Sequence, residues 1–276
     1  MKTNLVVWGL GKHSINKVIP AITKSKKINL YGLYTRNKKI LRKEAIKFIN
    51  CKIWNNEKEM LLDNKIDAIY LSTPIGLHYE SGKKILNAGK HLWCEKSLAS
   101  DYKQVCNLIK IAKKNNLAIC EAFMYLYHPI FKKIKSLVDK KYIGEIISFT
   151  STFCCPHLKK SDWRYKNNMG GGALLDLGCY PISSYINLFK TNSKLYYARL
   201  QKNKLFNKVD TSGAVFFKNK KTWFNLNWGL GFNYQNNIHI IGTKGTITAE
   251  PFFSKPENLK PKIKIPRPGI EPGSGG

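Results

Sequence analysis

Gly9-Leu10-Gly11-Lys12-His13-Ser14 stands between a short apolar run, Asn4 to Trp8, and an amphipathic one, Ile15 to Ile22. Glycines at a strand-to-helix junction have specific uses. Gly9 permits the tight turn, and Gly11 lets the backbone come close to a pyrophosphate, which the helix N-terminus then binds through its amides. Ser14 fills the third position, small enough for the helix to approach the strand. Leu10, Lys12 and His13 lie along the same loop. The bland alternative is a glycine-rich turn, and the position at the first strand-helix junction favours dinucleotide binding. The next strand ends Tyr34-Thr35-Arg36-Asn37. An NAD site usually carries Asp or Glu here for the ribose hydroxyls, whereas an Arg suits the 2′-phosphate of NADP. Thr35 and Arg36 therefore point to NADP, with NAD as the second option. The bland reading of Arg36 is one more surface cation.

Three further groups could do chemistry. Ser72-Thr73-Pro74, followed by His78, closes a buried apolar run, where open α/β sheets bind ligands. Glu95-Lys96-Ser97 follows another strand. A lysine beside a nicotinamide cation can hydrogen-bond a substrate hydroxyl, although a solvated loop lysine is the bland reading. Asp176 and Tyr180 follow Gly170-Gly171-Gly172 and are four apart, so on a regular helix they share one face as a proton-handling pair. A satisfied Asp and a core Tyr are the bland reading. Trp163-Arg164 and Asp176 are the expected substrate-positioning residues.

These residues need a scaffold. Through residue 122, strands of four to seven residues alternate with helical stretches: Asn29 to Tyr34, Ile66 to Ser72, His91 to Cys94 and Leu117 to Glu121 against Lys38 to Ile49, Tyr79 to Ala88 and Tyr102 to Lys114. That alternation predicts a parallel α/β sheet. After Phe123 come a helix near Pro129 to Lys140, a long strand Glu145 to Cys155, a helix Ala173 to Leu188, and strands joined by short turns, which predict an open, mostly antiparallel sheet. Expected domains are therefore 1–122, dinucleotide-binding; 123–250, for substrate and oligomerisation; and 251–276, a Pro/Gly-rich extended tail, truncated or ending in artificial residues.

Composition bounds the partners. The chain has 276 residues, 47 Lys+Arg against 17 Asp+Glu, a net charge of +30 and 43% hydrophobic residues. Only five of the cations are Arg, and 25 Asn and 29 Ile accompany them, so A/T-rich codons account for the lysines. They come in pairs rather than blocks, which speaks against specific nucleic-acid binding. Seven cysteines with no C-x-x-C fit a reducing cytoplasm and no metal site. No apolar run reaches the ~18 residues of a membrane helix.

The motifs in order resemble the glucose–fructose oxidoreductase / inositol dehydrogenase (Gfo/Idh/MocA) family. The matches are Gly9-Leu10-Gly11, Ser72-Thr73-Pro74 with Leu77-His78, Ala88-Gly89-Lys90-His91 leading to Glu95-Lys96, Glu121-Ala122-Phe123-Met124-Tyr125, Gly170 to Pro181 and Gly242-Thr243-Lys244-Gly245. The Gly178-Cys179-Tyr180-Pro181 run is similar to the dimeric dihydrodiol dehydrogenase and NADP-dependent xylose dehydrogenase branch. The resemblance implies a Rossmann domain followed by an open sheet, and NADP-dependent hydride transfer to or from a sugar or polyol carbon. It implies that Lys96 contacts the reacting hydroxyl, Asp176 orients the substrate and Tyr180 is the acid/base. Glycines, Ser72, Thr73, Pro74, His78 and Glu95 would line the cofactor, and aromatic strands around Phe216-Phe217 and Trp223 to Trp228 would form a dimer face, as in resembling proteins, or simply belong to the core. The sequence departs at Ser97, where the family has Pro, at Ile75, and past Glu250, where the family continues into further strand and a helix. A non-catalytic NAD(P)-binding homologue is the alternative reading.

Overall fold

The computed structural model describes residues 2–48, 50–189, 192–202, 209–255 and 262–265. Two compact units emerge: residues 1–122 with 168–170, and residues 123–167 with 171–276.

In the first unit, β1 (Thr3–Trp8), β2 (Ile28–Tyr34), β3 (Lys52–Ile53), β4 (Ala68–Leu71), β5 (His91–Cys94) and β6 (Ile119–Glu121) form a parallel sheet in the order β3-β2-β1-β4-β5-β6. Strand β1 shows why its sequence is apolar throughout. Leu5 and Val7 enter one core cluster, Val6 and Trp8 the other, so both faces are covered. A π-helical turn, Ser14–Val18, runs into α1 (Ile19–Thr23). Helices α2 (Lys38–Ala45), α3 (Glu57–Leu61) and α5 (Tyr102–Lys114) start at Asn37, Asn56 and Asp101, whose side chains each accept a backbone N–H of the first turn; α4 is His78–Asn87.

Helix α2 stops at Ala45, short of the Ile49 expected from periodicity. β3 and α3 were not expected: both side chains of the two-residue strand are exposed, and a five-residue helix has too few turns for a periodic signal.

The second unit holds α6 (Pro129–Asp139), β7 (Ile146–Cys155), a π-helical turn Leu174–Gly178 leading into α7 (Cys179–Phe189), then β8 (Lys194–Lys202), β9 (Asp210–Asn219), β10 (Thr222–Leu230), β11 (Gln235–Gly242), β12 (Gly245–Glu250) and β13 (Lys262–Lys264). Their sheet runs β13-β12-β11-β7-β10-β9-β8. β7 and β10 are parallel and the remaining neighbours antiparallel. Along β10 the two-residue period separates a core face, Phe224, Leu226 and Trp228, from Trp223, which is 36% exposed. Trp228 therefore belongs to the core, while Phe216, Trp223 and Tyr196 form an outer aromatic patch with ring centroids 5.4 and 5.8 Å apart.

The tail expected from residue 251 needs correction. Phe252 and Phe253 are fully buried, and Lys262–Lys264 pairs with Thr248 to Glu250. Two adjacent aromatics have no period, so no helical or strand pattern flagged them; they are held by their fit among Tyr125, Phe131, Phe153 and Tyr180. Asn236 fixes them from within. Its Oδ1 accepts the N–H groups of Phe252 and Phe253 at 3.0 and 2.7 Å, and its Nδ2 donates to Tyr234 Oη and the Ser254 carbonyl at 2.8 and 2.6 Å. Residues 256–261 and 266–276 of the expected tail lie outside the described residues.

Candidate functional site

The first unit gathers its candidates at the carboxyl ends of β1, β4, β5 and β6. Between β1 and β4 the strand order reverses, which is where open α/β sheets bind their ligands. Gly9 has φ +107°, and a Cβ there would fall on the Ser72 carbonyl oxygen. Ser14, wholly buried, donates its hydroxyl to the Gly9 carbonyl at 2.8 Å and shares a hydrogen bond with Ser72 Oγ, also 2.8 Å. Position 14 is thus a small hydroxyl that ties the two strand exits together. Gly11 has open space where its Cβ would be. Leu10 is buried, whereas Lys12, His13 and Arg36 are exposed and Thr35 is half-buried. A glycine with room beside it at the start of a helix is the cradle a pyrophosphate requires, and Arg36 at the exit of β2 suits a second phosphate. Gly9→Ala is expected to weaken NADPH binding at least ~10-fold and to lower the melting temperature, because strain at a positive φ and the clash with Ser72 act together. A fluorescence titration and a thermal melt check both.

Glu95 and Lys96 stand at the exit of β5, with the Glu95 N–H bonded to the Leu71 carbonyl at 2.9 Å. The Tyr70 hydroxyl donates to Glu95 Oε1, and His13 Nε2 lies 3.2 Å from the same oxygen. Burial raises the Glu95 pKa, but the hydrogen bonds from His13 and Tyr70 and the charges of His13 and Lys96 outweigh it, so the net shift is downward. Glu95 is an anchored carboxylate. His78 was expected against the cofactor, and the structure corrects this. Its ring is 1% exposed, with Nδ1 2.7 Å from the Ser97 carbonyl and Nε2 2.7 Å from the Thr73 carbonyl. Both nitrogens lie against backbone carbonyls, one of them donating in the neutral ring, so His78 sits between the Thr73 loop and the Lys96 loop instead of facing a ligand. The Lys96–Ser97 peptide is cis.

In the second unit Asp176 lies in the π-helical turn and Tyr180 in the first turn of α7. Asp176 is buried and accepts Arg164 Nε at 2.7 Å; Arg164 Nη1 also reaches Asp162 at 3.2 Å, and the guanidinium lies 4.8 Å from the Trp163 ring centroid. Burial pulls the Arg164 pKa down, while Asp176 and Asp162 pull it up and prevail. Trp163, Arg164 and Asp176 are therefore together, as one charged cluster. Tyr180, 5% exposed, sits among Phe123, Phe153 and Phe253 at 5.0–5.6 Å between ring centroids.

Sequence reasoning passed over two supports. Asp210, at the start of β9, accepts the Leu174 N–H at 2.6 Å, and a Cβ on Gly172 (φ +120°) would strike it, so the glycine run serves this anchor. Glu121 was quoted only as part of a motif; it accepts the Leu98 N–H at 2.8 Å. Neither carries a local signal, since each acts on a backbone amide distant in sequence.

The profile described as an oxidoreductase family with an NAD-binding Rossmann fold matches residues 3–123, and the GFO/IDH/MocA C-terminal domain matches residues 131–248. The dTDP-3,4-didehydro-2,6-dideoxy-alpha-D-glucose 3-reductase of Actinomadura kijaniata is 32% identical over 208 residues, 75% of this chain and 63% of that protein. The enzyme of the same name from Saccharopolyspora spinosa is 28% identical over 265 residues, 96% of this chain and 79% of that protein. The solved 3-ketoreductase from Actinomadura kijaniata, in complex with NADP and TDP-benzene, superposes with a TM-score of 0.92 at 26% identity, covering 98% of this chain and 83% of that one. With a six-stranded sheet in Rossmann order, a second mixed sheet and both family profiles along its length, the chain belongs to the GFO/IDH/MocA family of NAD(P)-dependent sugar oxidoreductases.

Proposed function

We propose that this chain is an NADPH-dependent ketoreductase acting on a nucleotide-linked keto-sugar. The observation that carries the cofactor half is the cradle at the exits of β1 and β4, closed at Gly9 and open at Gly11. The substrate half rests on the relatives named for reduction of dTDP-linked sugars and on the neighbour bound to TDP-benzene.

The cofactor would be held by Gly9, Leu10, Gly11, Lys12 and His13 at the loop, by Thr35 and Arg36 at the adenosine end, and by Ser72, Thr73, Pro74 and the Glu95-Lys96 turn. When bound, it supplies the hydride. The protein's own residues do the rest. Lys96 donates a hydrogen bond to the reacting oxygen and stabilises the negative charge that builds on it. Tyr180 gives its phenolic proton to that oxygen. Asp176, paired with Arg164, accepts hydrogen bonds from sugar hydroxyls, and Trp163 flanks the same cluster. One feature of the solved neighbour supports the two catalytic assignments: the lysine and tyrosine replaced in its variants are separated by the same number of residues as Lys96 and Tyr180. Two copies would join through the exposed patch of Tyr196, Phe216 and Trp223.

Titrating the protein with NADPH and then NADH tests the cofactor assignment. NADPH is expected to bind at least ~10-fold tighter, and Arg36→Ala should erase the difference by weakening NADPH alone. Equal affinity for both would remove Arg36 from the site. NADPH oxidation is then followed with dTDP-linked keto-sugars against free ketoses; turnover confined to free ketoses would overturn the nucleotide-linked substrate.

A further inference from the structure

The Ser97–Leu98 peptide unit directly follows Lys96, and ionisable side chains hold both of its polar ends. Its carbonyl, on Ser97, lies 2.7 Å from His78 Nδ1, and its N–H, on Leu98, donates to Glu121 Oε1 at 2.8 Å. The two grips come from opposite directions in the sheet. His78 opens α4, after the loop leaving β4, and its other nitrogen is fixed on the Thr73 carbonyl at 2.7 Å. Glu121 ends β6, where it pairs in register with Cys94 of β5, and the next residue's N–H bonds the Cys94 carbonyl at 2.8 Å. Glu95, on the other side of Lys96, is itself anchored by Tyr70 and His13. Lys96 thus leaves a backbone fixed immediately before it and immediately after it.

We propose that His78 and Glu121 are positioning residues for Lys96, acting together by clamping the Ser97–Leu98 peptide between them. The inference rests on Lys96 being the group that meets the substrate. The clamp itself can be read without turnover.

The charges around the clamp are consistent with this role. Burial pushes the Glu121 carboxyl upward, while the Leu98 N–H and the Lys96 charge oppose it. Burial pushes the His78 pKa down, against its hydrogen bonds to the Ser97 and Thr73 carbonyls. An amide bonded to a carboxylate in a part-buried site should open rarely.

The test uses the full chain and two probes. Amide hydrogen exchange measured over residues 95–99 reports the clamp, and the acetylation rate of Lys96 by an N-hydroxysuccinimide ester, read by peptide mass spectrometry, reports where its amine stands. Glu121→Ala should speed exchange of the Leu98 amide ~10- to 100-fold and change Lys96 acetylation several-fold, with Lys90, which donates to the Asp63 carbonyl, as the unchanged internal reference. Glu121→Gln keeps an acceptor oxygen and should stay within about threefold of the parent on both readings, which a role in charge alone would not allow. His78→Ala should alter Lys96 acetylation in the same direction as Glu121→Ala. Should either alanine variant not fold, the Gln variant and the remaining alanine decide. Unchanged Leu98 exchange and Lys96 acetylation in a folded Glu121→Ala overturns the clamp. Failure of the Lys96 assignment shows separately, as retained turnover in Lys96→Ala with Leu98 amide exchange unchanged.

Discussion

Tyr180→Phe is expected to lower the turnover number by ~10² or more while NADPH affinity stays within about twofold. The substitution removes one oxygen and keeps the ring, so the edge-to-face contacts with Phe123 and Phe153 and the tilted contact with Phe253 survive. A fall in rate can then be assigned to the lost proton donor and not to a disturbed core. Lys96→Ala should cost a comparable factor, again with the cofactor still bound. If both groups act on the same oxygen, as proposed, the double variant should lose less than the product of the single losses. Single-turnover oxidation of bound NADPH, followed in a stopped-flow instrument, separates chemistry from release. Near-normal rates in both single variants would remove these residues from the chemical step.

Asn236→Ala should destabilise the second unit by about 3–5 kcal/mol. The side chain is wholly buried and makes four hydrogen bonds, three of them to the backbone of Phe252, Phe253 and Ser254. Removal leaves the Phe253 amide and the Ser254 carbonyl without these partners in a buried site, each costing ~1–3 kcal/mol, and deprives the Phe252 N–H of one of its two acceptors, the Asn236 carbonyl remaining. For a unit of this size that corresponds to a fall of ~6–20 °C in melting temperature. Asn236→Asp keeps the acceptor oxygen and loses both donors, so it should fall between. Calorimetry on the three proteins gives the order. An alanine variant melting within ~2 °C of the parent would mean that water replaces the side chain.

The sequence displayed some of this organisation openly and hid the rest for identifiable reasons. β1 was visible because both its faces are buried, which leaves an uninterrupted apolar run. Gly9 was visible because its φ of +107° excludes other residues. The asparagine caps of α2 and α3 sit where side-chain oxygens compete well for free amides, yet β3 and α3 themselves are too short to show a period. The ion pair of Asp176 with Arg164 could not be seen in spacing, because Arg164 precedes it on another segment. His78 misled because a histidine beside a ligand loop looks the same in sequence whether it faces the ligand or the backbone. Phe252 and Phe253 were invisible to any periodic reading; only the cavity they fill explains them.

The position of β7 has a consequence for how the chain is made. Both of its neighbours come later in the sequence: Ser148 meets Trp223 on β10 and Ile241 on β11. A ribosome finishing Cys155 must still add the stretch to Leu230 before β7 has a complete partner, about 4–15 s at 5–20 residues per second. Through that interval Ile146–Cys155 is a ten-residue segment, free of charge and proline and rich in isoleucine, threonine and phenylalanine, with both edges unpaired. The first unit meets no comparable delay at its start, because β1 finds β2 after one short crossover. Yield on expression should therefore depend on how the nascent β7 is sheltered, through temperature, synthesis rate and chaperone supply, more than on the stability of the finished fold.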